Sequence, residues 1–486
     1  MKEKEFKLKV AKATKWSTIT EISAKLVAPV SNMILARILA PEAFGVVATV
    51  TMIISFVEMF TDAGFQKYLV QHEFKDEDEK YKSANVAFWT NFSISIFLFG
   101  IIAYFSESIS VLVGSPGLGN LITIACVQLP ITAFSSIQMA LYKREFDFAT
   151  LFFVRMISIL IPLVLTIPLA LLGLSYWALI IGSIFTYLSN AIILTIKSTW
   201  KPEFYFDIGV LKKMLDFSIW SLIEAISIWF TVWIDAFIIG FYLNQYFLGL
   251  FKTSTTMVNS IMGLITASII PVFFVTLSRL QNDNISFKQM FYKFQRTASI
   301  FIFPFGIGIF LYSDLVTTIL LGNQWEEASV LIGIWALTSA VKIVFCNFSS
   351  EVYRAKGRPK LSFLAQILYL VVLVPTIIVS AKIGFLTLIY ARSLIQFYFV
   401  LIHFILMKFA MGFPIVKTLK NLIPTAISVM IMGIFGVTIQ RLNDGIIWSI
   451  ITIILCAFFY FIVLCLFPII RRDMKDLKNR IRSSNI

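Results

Sequence analysis

The sequence predicts an all-α integral membrane protein with about fourteen transmembrane helices. Three observations predict it. The chain of 486 residues is 58% hydrophobic and only 14% charged, with a mean hydropathy of +0.86. A water-soluble protein of this length needs far more polar surface than that to cover its cores. Apolar runs near the roughly 20 residues that a helix needs to cross a bilayer recur from end to end. Lys and Arg gather in alternate gaps between those runs, which is an orientation signal.

Polar and turn-rich gaps divide the chain into the expected spans. The first two cover about 16–38 and 44–64. The next four cover about 84–105, 119–141, 150–172 and 176–197. A second set follows at about 214–240, 247–275, 295–318, 328–350, 361–381 and 384–407. The last two lie at about 418–439 and 446–468. The turn-like GLSY separates the fifth from the sixth, and AKIG the eleventh from the twelfth. Most Lys and Arg fall in the gaps that share a side with both termini. Arg37, Lys382 and Arg441 lie near the opposite turns. This bias and the even span count place both termini in the cytoplasm.

The formal net charge of +14 does not point to nucleic acid, because the basic residues sit in short gaps and form no basic, aromatic-interleaved patch. The acidic run DEDE at 76–79 is expected to be a solvated loop. No gap is long enough for an independently folding catalytic domain, and no GxxxxGK[ST] motif is present. Cys126, Cys346, Cys456 and Cys465 sit in apolar runs without CxxC spacing and read as packing residues. His72 and His403 are too far apart in sequence to suggest zinc. No cofactor and no metal site are expected. The N-terminus MKEKEFKLKVAKATK is basic but leads into a long run without a small-residue cleavage site, so a retained first span is expected.

The chain also echoes itself. ILARILAPEAFGVVATV at 34–50 matches FIIGFYLNQYFLGLFKTS at 237–254, pairing Gly45 with Gly249 and Phe44 with Leu248. ALYKREFDF at 140–148 resembles EVYRAKGRP at 351–359, pairing Tyr142 with Tyr353. Offsets of 204 and 211 residues suggest six spans followed by six related ones. The expected division is an N-terminal lobe at 1–213, a C-terminal lobe at 214–410, and two further helices with a basic tail at 411–486.

LARILAPEAFGVVATV in the first turn, FTDAGFQKYLVQ at 60–71, IDAFIIGFYLNQYFLGLF at 234–251 and YRAKGRPKLS at 353–362 carry a family resemblance. The chain resembles the Wzx-type polysaccharide and oligosaccharide flippases, the polysaccharide transporter family of the multidrug/oligosaccharidyl-lipid/polysaccharide exporter superfamily. The resemblance covers nearly the whole chain. It implies two pseudo-symmetric six-helix lobes around a central cavity, with two C-terminal helices outside them. It implies a secondary transporter of the bacterial cytoplasmic membrane rather than an enzyme. The implied substrate is an undecaprenyl-type, diphosphate-linked oligosaccharide carried from the cytoplasmic to the outer leaflet. The products served are surface polysaccharides such as O-antigen, capsule, exopolysaccharide or teichuronic-type chains. A polysaccharide polymerase and export machinery are the implied protein partners, beside membrane lipid.

Charges inside the spans are the candidate functional residues, because a charge at the bilayer centre costs roughly 2.5–3.5 kcal/mol on insertion scales. Glu224 and Asp235 lie eleven residues apart, close to one helical face. Glu58 and Asp62 lie four apart at the end of the second span. These four carboxylates are the candidates for proton or ion coupling. Lys25, Lys252, Lys342 and Arg392 are the candidate cations for a diphosphate or acidic sugar. Glu21 stands four residues before Lys25, a spacing that favours a local ion pair. Gly45, Gly64 and Gly249 mark the helix turns. The plain alternative for every one of these charges is helix-to-helix pairing without a substrate. Trp220, Trp229 and Trp233 read as packing or interface aromatics, or as platforms for sugar rings. Two other functions stay open: an ion-coupled drug or metabolite exporter of the same superfamily, and an intramembrane polysaccharide polymerase.

Overall fold

Within lipid, a backbone has no water to bond to, so each apolar run must close its own hydrogen bonds as a helix. The computed structural model describes residues 3–472 except 63 and 444; for residues 3–11, 14, 22, 217–221, 223, 224 and 268 it describes the backbone only. Every regular element among the described residues is helical. The chain forms two compact units, Met1–Lys252 and Thr253–Ile486.

The first unit opens with α1 (Glu3–Ile38), α2 (Pro41–Asp62), the short α3 (Phe65–Gln71) and α4 (Glu77–Tyr104). It continues through α5 (Ser106–Leu112), α6 (Gly119–Cys126), α7 (Gln128–Arg144), α8 (Phe148–Ile161) and α9 (Ile167–Leu171). It ends with α10 (Tyr176–Lys197), α11 (Ile208–Tyr242) and the first turns of α12 (Gln245–Arg279). The second unit takes the rest of α12, then α13 (Asn284–Leu311), α14 (Ser313–Leu320), α15 (Ala328–Lys342) and α16 (Phe348–Ala355). It closes with α17 (Lys360–Ile383), α18 (Phe385–Met411), α19 (Ile415–Gln440) and α20 (Ile446–Cys465). The first unit reaches past the join expected at 213/214, because α11 packs on α2, α3 and α4.

Among the described residues, thirteen helices are long and apolar enough to cross a membrane, and fourteen when one bent pair counts as a single span. That pair is α12, bent by 45° between Ala267 and Ile269. Pro271 explains the bend: it has no N–H for the carbonyl of Ala267, four residues earlier. Five-residue π turns at Pro162–Thr166 and Ile343–Asn347 interrupt two further spans.

Among the described residues, four helices start on an aspartate whose side chain accepts a backbone N–H: Asp76, Asp147, Asp207 and Asp283. Asp76 corrects the loop expected at DEDE. Its carboxylate accepts from the amide of Glu79 at 2.7 Å, and the Glu79 carboxylate accepts from the amide of Lys75 at 2.7 Å. This reciprocal capping turns the acidic run into the first turn of α4. Lys80 then pairs with Glu77 at 2.5 Å and with Glu145 at 3.2 Å.

In the first unit a core of Phe65, Leu69, Phe88, Ile137 and Trp200 ties α3, α4 and α7 to the segment after α10. In the second, Ile300, Met432, Cys456 and Leu464 join α13, α19 and α20, and the Tyr460 hydroxyl donates to the carbonyl of Ile300 at 2.8 Å. Cys126, Cys346 and Cys456 are buried, as packing residues should be, whereas Cys465 is exposed.

Candidate functional site

The turn between α1 and α2 and the turn between α11 and α12 meet inside the first unit. A Cβ at Gly45 would overlap the carbonyl of Gln245, and a Cβ at Gly249 would overlap the carbonyl of Pro41. Only residues without a side chain allow backbones this close. The Gln245 side chain locks the crossing. Its carbonyl oxygen accepts from Thr49 Oγ1 at 3.0 Å, and its amide nitrogen donates to Ser115 Oγ. Gly64 serves a different turn. It takes a left-handed φ of 82° before α3, a conformation costly for residues with a Cβ.

Asp235 and Lys252 lie near this crossing. Asp235 is 5% exposed in α11. Lys252 is half-buried in α12, within the field of the Asp235 carboxylate. Its ammonium stands 3.9 Å from the ring centre of Trp233. A cation over an indole is worth up to about 2 kcal/mol when desolvated. The Trp229 indole donates to Ser55 Oγ at 3.1 Å and packs on Phe56 at 4.8 Å. Glu224 belongs to α11, but its side chain lies outside the described residues, as does that of Trp220.

Glu58 and Asp62 sit at the far end of α2 from Gly45. Asp62 accepts from the amide of Gln66 at 3.4 Å, which ties it to the start of α3. Glu58 feels the charge of Asp62, and its own field reaches Cys126 and Tyr187. Glu58 stands thirteen residues from Gly45, about 20 Å along α2. Lys25 is half-buried and Glu21 exposed, and no ion pair joins them among the described residues. The local pair expected from their spacing is therefore not formed: an exposed carboxylate gains little from holding a long side chain still.

Arg392 is 4% exposed, in α18 of the second unit. Its guanidinium donates to the Tyr369 hydroxyl and lies 5.1 Å from the Trp335 ring centre. The Trp335 indole donates to Asn259 Oδ1 at 3.3 Å. One turn past Arg392, Gln396 is 1% exposed, and neither polar atom of its amide has a hydrogen-bond partner among the described residues. The Ser393 hydroxyl is in the same position. Lys342 lies apart from Arg392, where its charge acts on Cys346 and on buried His403. His403 Nδ1 is 3.2 Å from the Tyr353 hydroxyl.

The sequence reading missed Trp335, Tyr369 and Gln396. A signal was present in the spacing: Arg392, Gln396, Phe399 and His403 recur at one helical face. A run of polar groups on one face of a membrane helix marks the side turned away from lipid.

Residues 34–330 match the sequence profile described as "Polysaccharide biosynthesis protein". The chain belongs to that polysaccharide biosynthesis protein family. This family member is 24% identical over 409 residues to an uncharacterized membrane protein in the cps region of Klebsiella pneumoniae, covering 81% of this chain and 83% of that protein. It is 24% identical over 328 residues to the succinoglycan biosynthesis transport protein ExoT of Rhizobium meliloti (strain 1021), covering 67% of this chain and 65% of that protein. Among solved structures, Lipid II flippase MurJ in an inward closed conformation superposes with a TM-score of 0.74 at 16% identity, over 92% of this chain and 97% of that one. That likeness establishes the fold of this polysaccharide biosynthesis protein, which is a multi-pass membrane protein.

Proposed function

We propose that this protein is a flippase that carries a polyprenyl-diphosphate-linked oligosaccharide from the cytoplasmic to the outer leaflet of the bacterial inner membrane. The physical problem is the head group. Moving one unpaired hydroxyl into hydrocarbon costs about 4–8 kcal/mol, and a diphosphate costs far more. The polyprenyl tail can stay in lipid throughout.

The observation that carries the reading is the burial of cations against indoles inside membrane helices: Lys252 on Trp233 and Arg392 on Trp335. Cations neutralise phosphate, and aromatic faces suit sugar rings. The unmet hydrogen-bonding capacity of Gln396 and Ser393 favours a polar group beside Arg392. Lys25 and Lys342 complete the set of proposed head-group cations. Family membership and a relative named for succinoglycan transport support the same substrate class.

In this reading two six-helix repeats alternate access to the two leaflets, with both chain termini in the cytoplasm. Polysaccharide polymerase and export machinery receive the product. Glu58, Asp62, Glu224 and Asp235 are the proposed carboxylates for coupling to a proton gradient. Reconstitution tests both parts. Purified protein in liposomes should move a fluorescent lipid-linked oligosaccharide to the opposite leaflet, and Lys252→Ala should slow it. Transport that ignores both Lys252→Ala and Arg392→Gln would reject the head-group assignment. Transport indifferent to a collapsed pH gradient would reject proton coupling.

A further inference from the structure

We propose that the groove between α7 and α10 binds one acyl chain of an anionic phospholipid, whose phosphate rests on Lys201. The groove holds about 460 Å3, within the roughly 300–1,000 Å3 usual for small-ligand sites. Pro130, Ile131 and Phe134 line it from α7, and Leu188, Ile192 and Ile196 from α10. Thr195 also lines it, but its hydroxyl is already taken by the Gln138 amide at 3.0 Å. The wall therefore offers methyl and methylene groups almost alone. Ile192 is 49% exposed and Ile196 74%, so the groove opens outward on a membrane helix. A flexible hydrocarbon chain gains the most dispersion contact there, and water gains none.

The groove has a charged end. Lys201 folds back over the last turn of α10, donating to the carbonyl of Thr195 and, at 3.4 Å, to that of Ile196. An ammonium has three N–H bonds, so one remains for a phosphate oxygen. Lys197, the last residue of α10, is exposed on the face turned to α8, with its ammonium 5.2 Å from the Phe153 ring centre, and stays clear of the groove. One lysine thus stands where the apolar wall stops, and that is the charge pattern of a phospholipid.

The segment after α10 fixes the depth. The Trp89 indole donates to the carbonyl of Glu203 at 2.8 Å, and the Glu203 amide donates to Asn85 Oδ1 at 3.1 Å. Pinned this way, the segment presents Phe204, 94% exposed, although its ring stacks on Trp89 at 4.7 Å. Phe206 and Ile208 are exposed beside it. Large apolar side chains with nearby lysines at a helix end sit at the head-group boundary. That places Lys201 at phosphate level. A head group with no cation of its own leaves its full charge to Lys201, so the ligand is an anionic lipid rather than a zwitterionic one. The inference does not depend on the transported substrate.

Native mass spectrometry of the delipidated full chain, titrated with phosphatidylglycerol or phosphatidylcholine, tests it. Phosphatidylglycerol is expected to be retained and phosphatidylcholine lost first. Lys201→Ala should weaken phosphatidylglycerol about fivefold, from about 1 kcal/mol per surface cation, whereas Lys197→Ala, on the α8 side, should bind like the parent. Ile192→Trp should fill the groove and release the lipid with Lys201 intact. All three positions are exposed, and unchanged size-exclusion profiles would show that the variants fold. Excess inorganic phosphate should leave the lipid in place. Equal retention of the two lipids, a Lys201→Ala variant that binds like the parent, or displacement by inorganic phosphate would each overturn the proposal.

Discussion

Gly45 and Gly249 occupy equivalent positions on either side of a local twofold relation. A Cβ on either one would lie 3.0 Å from the amide nitrogen of the other. The carbonyls that each would strike belong to Gln245 and Pro41, four residues before Gly249 and Gly45. The 204-residue offset of the sequence repeat is therefore also the offset of a physical contact. Because the obstacle is backbone, no rotamer change relieves it. Gly45→Ala or Gly249→Ala should cost at least about 1–3 kcal/mol as overpacking. A drop of several degrees in the thermal midpoint of the detergent-solubilised protein checks this, with Gly263→Ala, which meets nothing within 4 Å, as the neutral control.

The Asp235–Lys252 relation predicts non-additivity. Asp235→Asn removes the negative charge that favours the Lys252 ammonium, and Lys252→Met removes the cation. If the two act on each other, the double variant should recover about 0.5–3 kcal/mol relative to the sum of the singles. Thermal midpoints of the four proteins provide the measurement, and strict additivity would mean that the two charges do not cooperate in stabilising the fold.

Arg392 yields a more local prediction. Tyr369→Phe keeps the ring against Phe399, at 4.4 Å between centroids, and deletes only the hydroxyl that accepts from Arg392. A hydrogen bond to a charged group contributes about 1.5–3 kcal/mol. The variant should unfold at a lower temperature than the parent, and Arg392→Lys should not rescue it, because an ammonium lacks the planar fork.

The acidic start of α4 should behave as a cap. Asp76→Ala should destabilise by about 1 kcal/mol, and Asp76→Ser, which can accept the same amide, should recover most of it. Hydrogen exchange at the amide of Glu79, which donates to Asp76 at 2.7 Å, should rise in the alanine variant alone.

Much of this architecture was readable from span length. About 20 apolar residues can do little else than cross a bilayer as a helix, and the bent α12 was expected as one span and counts as the fourteenth. The relation of Asp235 to Lys252 followed from their matching places in the seventh and eighth spans, and the carboxylate does act on the ammonium. The partners of Arg392 did not, because Trp335 and Tyr369 come from α15 and α17, and helix rotation is set by packing that periodicity does not reveal. DEDE misled for another reason. Composition registers four charges, whereas the fold uses Asp76 and Glu79 as reciprocal acceptors for amides that a helix start leaves unbonded.

Cys465 is exposed at the end of α20, while the other three thiols are enclosed. A thiol-reactive dye applied to the native protein should therefore mark one position. Distance reporters can be added as single new cysteines once Cys465 alone has been replaced, without removing Cys126, Cys346 and Cys456 from packed helices where a smaller side chain would leave a gap.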